Sequence, residues 1–327
     1  MDAEGDGWIQ CFSRVERLTV SHVSANLNNP EVSLVPFHKL SASLKSLRIE
    51  LLSLPFSQVF YLIHSLPLLE DLALIDFENL VIDDNELPLT VDPLASPAFS
   101  GILELTLHPG MTDTARRLLD RPNGLHFRKL KLLWRDKEGL RWTAGLVAAC
   151  SNTLESLDVT YELGGAIHSP SPGWTGGLLE LPSADAPDRS NPVDLSKATK
   201  LKDFVFNCGS LSHEWIAEIL KTITPQHDDV QQISIRVPDV FGHSVDLGEV
   251  DFTIEWDIGE DLHAEWLDLD RLLVQFCESR SIRPTVVYPR VKNHAKEMRE
   301  WAGFLLPEVT KRGIADLVEA SRGYHVL

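Results

Sequence analysis

Two places in the chain set a histidine beside a carboxylate, the combination that general acid–base catalysis draws on: His227-Asp228-Asp229 and His213-Glu214. Adjacent residues of a strand or helix point apart, so neither pair makes a site by itself. The 12 histidines are scattered, and none shares a helix face with another at ligand spacing. The 4 cysteines, Cys11, Cys150, Cys208 and Cys277, lie far apart with no C-x-x-C, which gives no support to metal or redox chemistry and fits a reducing compartment. The sequence carries no G-x-S-x-G, H-E-x-x-H, G-x-x-x-x-G-K-[ST] or G-x-G-x-x-G. The residue types therefore predict no catalytic site, no metal and no cofactor.

Charge narrows the partners. Against 30 basic residues stand 48 acidic ones, a net charge of −18. That balance disfavours nucleic acid and anionic membranes, both of which are bound through Lys and Arg on phosphate. No apolar run approaches the roughly 20 residues that span a bilayer. The opening Met1-Asp2-Ala3-Glu4-Gly5-Asp6 is acidic rather than signal-like, and no N-x-[ST] acceptor occurs. A soluble intracellular protein, cytoplasmic or nuclear, is the expectation.

What must position any functional residue is a recurring phrase, apolar-x-x-apolar-x-apolar. It reads Val15-x-x-Leu18-x-Val20, Leu44-x-x-Leu47-x-Ile49, Leu69-x-x-Leu72-x-Leu74 and Ile102-x-x-Leu105-x-Leu107. It returns as Phe127-x-x-Leu130-x-Leu132, Leu154-x-x-Leu157-x-Val159, Leu201-x-x-Phe204-x-Phe206 and Val230-x-x-Ile233-x-Ile235. Middle positions step by 29, 25, 33, 25, 27, 47 and 29 residues, mostly one strand, one helix and two connections. The last two apolar positions share a strand face, and the residues between them turn the other way. Helical stripes fall between the phrases at 55–66, 112–119, 142–150, 212–222 and 267–279. Units that cannot bury an apolar face alone stack, so the predicted fold is an α/β leucine-rich-repeat-like solenoid. Its mostly parallel sheet would line one face and its helices the other.

Two stretches interrupt the pattern. Gly and Pro dominate 162–194, which reads as a loop insertion, disordered or an ordered partner-binding loop. Within 243–259, Val250-Asp251-Phe252-Thr253-Ile254-Glu255-Trp256 alternates with period two and reads as extra β structure. The organisation predicted is a tail at 1–11, the array at 12–284, and a C-terminal strand (285–288) with a capping helix (295–312) within 285–327.

Three stretches carry a family resemblance. They are Leu40-Ser41-Ala42-Ser43-Leu44-Lys45-Ser46-Leu47-Arg48-Ile49, Leu54-Pro55-Phe56-Ser57-Gln58-Val59-Phe60-Tyr61-Leu62-Ile63 and Ser65-Leu66-Pro67-Leu68-Leu69-Glu70-Asp71-Leu72-Ala73-Leu74. They resemble the leucine-rich-repeat region of fungal F-box-like proteins, those of mushroom-forming basidiomycetes especially. Cys11-Phe12-Ser13-Arg14-Val15-Glu16-Arg17-Leu18-Thr19-Val20 is similar to the first repeat after the F-box in that group. The resemblance implies a repeat surface that holds a substrate protein for a ubiquitin ligase. It implies a Skp-type adaptor as partner only if an F-box lies upstream of this chain.

The expectation is thus a non-enzymatic protein–protein interaction module whose partner the sequence does not name. Contact is expected from outward strand positions: Arg48, Asp71, Thr106, Lys131, Asp158, Asn207, Ser234 and Arg236. The competing reading of these residues is a merely solvated sheet face. Two other classes stay open. A free-standing scaffold unrelated to ubiquitin would lack an F-box in the upstream gene. A hydrolase would gather titratable groups in one deep pocket.

Overall fold

The computed structural model describes residues 14–21, 35–50, 53–54, 56–76, 78–79, 99–107, 111–121, 124–134, 137–161, 193–208, 214–237, 260–280, 282–288 and 295–320. The first half runs β1 (Arg17–Ser21), a 3₁₀ turn (Val35–Leu40), β2 (Ser46–Glu50), β3 (Ser53–Leu54), α1 (Phe56–His64), β4 (Asp71–Ile75) and β5 (Glu78–Asn79). Then come β6 (Ile102–Leu107), α2 (Thr112–Leu119), β7 (Lys129–Trp134), α3 (Lys137–Cys150) and β8 (Ser156–Tyr161). The remainder is β9 (Asp203–Cys208), α4 (Glu214–Lys221), β10 (Gln232–Arg236), α5 (Glu260–Arg280), β11 (Thr285–Tyr288), α6 (Ala295–Leu305), α7 (Pro307–Lys311) and β12 (Asp316–Glu319).

Ten of these strands form one open sheet in the order β1-β2-β4-β6-β7-β8-β9-β10-β11-β12, while β3 and β5 make a separate pair. All neighbours are parallel. The eight expected strands lie side by side in chain order. The order never doubles back, so the sheet has no switch point of the kind at which doubly wound folds bind their ligands.

Alternation decides what is buried. Leu47 and Ile49, Leu130 and Leu132, and Phe204 and Phe206 are at most 2% exposed, and they join one cluster with the helix residues Val59, Leu118, Leu146, Ile219 and Leu273. On β1, Leu18 and Val20 are only half-buried. An outermost strand has a neighbour on one side alone. Cys150 and Cys277 are buried free thiols whose pKa burial pushes up to about 12, so in the folded chain neither is a ready nucleophile.

The register corrects one phrase. Leu72 pairs with Leu103 and Leu74 with Leu105, so the fourth repeat is centred on Leu103 rather than Leu105. The backbone says the same. At the foot of successive strands one carbonyl accepts from the next repeat: Glu16 O from Lys45 and Ser46 (2.9 and 3.0 Å), and Lys45 O from Glu70 and Asp71 (2.8 and 2.9 Å). Glu70 O takes Gly101, Gly101 O takes Arg128 and Lys129, and Arg128, Glu155 and Lys202 continue the series. Gly101 leaves room at its step: a Cβ there would lie 1.9 Å from Asp71 Oδ1, so any larger residue would push that carboxylate off the Ile102 N–H that it accepts.

The C-terminal region departs from expectation. α5 begins at Glu260 rather than 267, and the single expected helix is divided into α6 and α7 at Pro307, which lacks an N–H to continue it. β12 then extends the sheet beyond β11. The β segment expected at 243–259 and all of the 162–194 insertion except 193–194 lie outside the described residues.

Candidate functional site

The strand face opposite the core carries its side chains in three rows. From β2 to β10 each strand of the ten-stranded sheet contributes one residue between two buried ones, polar or small except for Val205, and the parallel register brings equivalent positions abreast. The middle row is Arg48, Ala73, Glu104, Lys131, Asp158, Val205 and Ser234. The upper row holds Glu50 beside Ile75, then Thr106, Leu133, Thr160, Asn207 and Arg236. Below run Ser46 and Asp71, then Ile102, Lys129, Ser156, Asp203 and Gln232. All eight residues expected to make contact stand on this one face.

They are not equally available. Thr106 is 1% exposed and Ser234 6%, so both are closed to a partner, against the expectation that each outward position is open. Asp71 is half-buried, and its Oδ1 accepts the Ile102 N–H at 2.8 Å, tying β4 to β6. Arg48 donates from Nη1 to Glu104 Oε2 at 2.6 Å and from Nε to Glu50. Its neighbour Ala73 is small enough to let the guanidinium pass over β4 to β6. Lys131 is exposed, whereas Asn207 and Arg236 are half-buried.

Asp158 sits between opposing influences. Its Oδ1 is buried and makes no hydrogen bond. Burial pushes its carboxyl above the ordinary aspartate value of 3.8; Arg236 and Lys131 oppose the rise, and Glu104 adds to it. The folded chain then holds a proton that the unfolded chain has released, so stability falls as pH rises above 3.8 through the folded-state value. In Asp158→Asn this contribution to the slope is absent. Urea titrations at several pH values between 4 and 7 should show a flatter profile for the variant, and an unchanged slope would remove Asp158 from the account.

Glu50 and Glu104 stand on the outward face and were not among the residues expected to make contact. Glu104 was hidden by the misplaced fourth phrase, which put Thr106 between the two buried leucines. Centring the phrase on Leu103 places Glu104 in line with Arg48 and Lys131. Glu50 stands at the end of β2, two residues beyond Arg48 on the same face.

Of the two histidine–carboxylate pairs, the one at His227 lies among the described residues. His227 is fully buried. Its Nε2 lies 2.7 Å from the Leu195 carbonyl oxygen, to which it donates, and its Nδ1 accepts the Thr224 N–H at 3.1 Å. Thr222 Oγ1 accepts the Leu195 N–H at 2.9 Å, and Arg280 binds the carbonyls of His227 (2.7 Å) and Thr224. The imidazole thereby joins the connection before β9 to the one before β10, and Arg280 at the end of α5 holds the latter through its backbone carbonyls. His213 lies outside the described residues. Among the described residues, no group of three or more His, Cys, Asp or Glu is arranged to hold a metal ion.

The arrangement can recognise a surface by charge and shape. Searched against protein-family models and against curated proteins, the sequence matches none. No described helix is long and apolar enough to cross a membrane.

Proposed function

We propose that this chain is a leucine-rich-repeat-like solenoid serving as a non-enzymatic protein-interaction module. In its concrete form it resembles the substrate-receptor repeat region of an F-box-type ubiquitin ligase subunit. One observation supports the reading above others: in a ten-stranded parallel sheet that follows chain order, the seven sheet strands from β2 to β10 align their outward residues in three rows of mixed charge. The strand backbone fixes the spacing and direction from which each side chain leaves the sheet, so binding there requires no ordering of the receptor backbone. The outward face is the substrate surface, and a Skp-type adaptor is engaged through an F-box where the gene encodes one upstream.

The test is steric. A partner recovered with the chain as bait should lose about tenfold or more in affinity for Ser156→Trp with Gln232→Trp, which fill the lower row. Arg271→Ala, on an exposed turn of α5, should leave binding unchanged. Equal affinity of a folded double variant and the parent chain would move the binding surface off this face.

A further inference from the structure

The charges of the outward face are unequally committed. Between β2 and β10 its exposed side chains are Lys129, Lys131 and Gln232, and every carboxylate there is half-buried. Glu50 and Glu104 hold Arg48. Asp71 accepts a backbone N–H, and Asp158 is sunk with one oxygen buried. Asp203 lies two strands from Lys129, about 9–10 Å away at the usual strand spacing. Among the described residues neither lysine makes an ion pair. In a chain of net charge −18, two exposed cations thus stand at the centre of its outward face, Lys129 between Ile102 and Ser156, and Lys131 between the half-buried Glu104 and Asp158.

Their geometry is that of a strand. Lys129, Lys131 and half-buried Leu133 follow at two-residue intervals along β7, each about 6.6–6.8 Å from the next. An extended peptide has the same repeat. Carboxylates two residues apart would meet both ammonium groups together, and an apolar side chain two residues further would reach Leu133, which is flanked by Thr106 and Thr160. Long polyanions are repelled by the rest of the molecule, whereas a short acidic segment meets only this patch. Separate point charges on a line suit separate carboxylates, while a single phosphate is better gripped by a converging arginine fork.

We propose that the line Lys129, Lys131 and Leu133 on β7 docks an extended acidic segment of a partner protein, with carboxylates two residues apart and an apolar residue two further on. The proposal rests on reading the outward face as an interaction surface, and it names the chemistry of what binds there.

Fluorescence anisotropy with a labelled Glu-Ser-Glu-Ser-Leu peptide on the full chain tests it. The peptide should bind, and its Gln-Ser-Gln-Ser-Leu counterpart should bind at least about tenfold more weakly. Lys129→Glu with Lys131→Glu should lose about tenfold or more, while Lys129→Arg with Lys131→Arg should keep affinity within about threefold. Both lysines are exposed, so thermal unfolding of the arginine variant should match the parent chain, while the charge-reversed variant, which sets a carboxylate at position 131 between Glu104 and Asp158, is checked for a native circular dichroism spectrum at the assay temperature. Equal binding of the two peptides, full affinity in the charge-reversed variant, or no binding of the acidic peptide at millimolar concentration would each overturn the proposal. A phosphoserine peptide that binds where the glutamate peptide does not would overturn it in favour of phosphate. If the acidic peptide fails while the tryptophan block still releases a captured partner, the interaction surface stands and only the acidic chemistry falls.

Discussion

Leu72→Ala and Leu105→Ala should each lower stability by about 2–5 kcal/mol, whereas Ser46→Ala should change it by no more than about 0.5 kcal/mol. Leu72 and Leu105 are each 1% exposed on β4 and β6, the third and fourth strands of the sheet, and both belong to the central apolar cluster. Truncating either removes apolar atoms from water-free contact and leaves a cavity that neighbouring strands, held in register on both sides, are poorly placed to fill. Ser46 lies on the opposite face of β2 and is half-buried. Urea titration distinguishes the two, since a shifted midpoint at constant m reports stability alone. Equal losses at all three positions would mean that the buried and outward faces have been exchanged.

Asp270→Ala should be comparably damaging although it removes no apolar packing. Asp270 is fully buried on α5, and its two oxygens accept the N–H groups of Glu308 and Val309 at 2.6 and 2.9 Å. These are first-turn donors of α7, which have no partner within the helix itself. Each donor left buried and unpaired costs about 1–3 kcal/mol, so the variant should lose roughly 2–5 kcal/mol. Asp270→Asn keeps one acceptor oxygen and should fall between. Burial raises the Asp270 carboxyl above its ordinary range, against the pull of these two hydrogen bonds. Ionisation therefore works against folding here as at Asp158, and stability falls as pH rises through that interval. An Asp270→Ala variant as stable as the parent chain would show that α7 is held by packing of Leu306 and Val309 instead.

Period-two alternation and the recurring phrase were enough to place eight strands in order, because parallel pairing needs only a buried face and a crossover between neighbours. The same signal failed at β6. Ile102-x-x-Leu105-x-Leu107 completes the phrase, whereas the register centres on Leu103 and Leu105 with Ser100 in place of the first apolar residue, so the pattern pointed to the wrong centre and only the pairing with β4 corrects it. β12 was missed because its buried pattern is weak: Asp316 and Val318 are exposed, and Leu317 and Glu319 only half-buried, on a strand with one neighbour. The outward positions were legible as a set. Their availability was not, since burial of Thr106 and Ser234 depends on residues distant in sequence. The ties of Arg48 to Glu104 and of Asp270 to Val309 span 56 and 39 residues and leave no local trace.

The row of carbonyls at the strand feet has an evolutionary consequence. Registry between neighbours is fixed at Glu16, Lys45, Glu70, Gly101, Arg128, Glu155 and Lys202, whose separations run from 25 to 47 residues. Each strand is thus positioned by where it starts, with no reference to how far the chain has wandered since the last. Doubling a flexible connection costs only about 0.6 kcal/mol, a small fraction of what one buried leucine contributes. Insertions in the loops between a strand and its covering helix are therefore nearly silent for the sheet, whereas the helices themselves, which supply Val59, Leu118, Leu146, Ile219 and Leu273 to the core, must stay. A duplicated unit would carry its own acceptor and its own pair of donors, so gene length can drift by whole steps while the platform stays in phase.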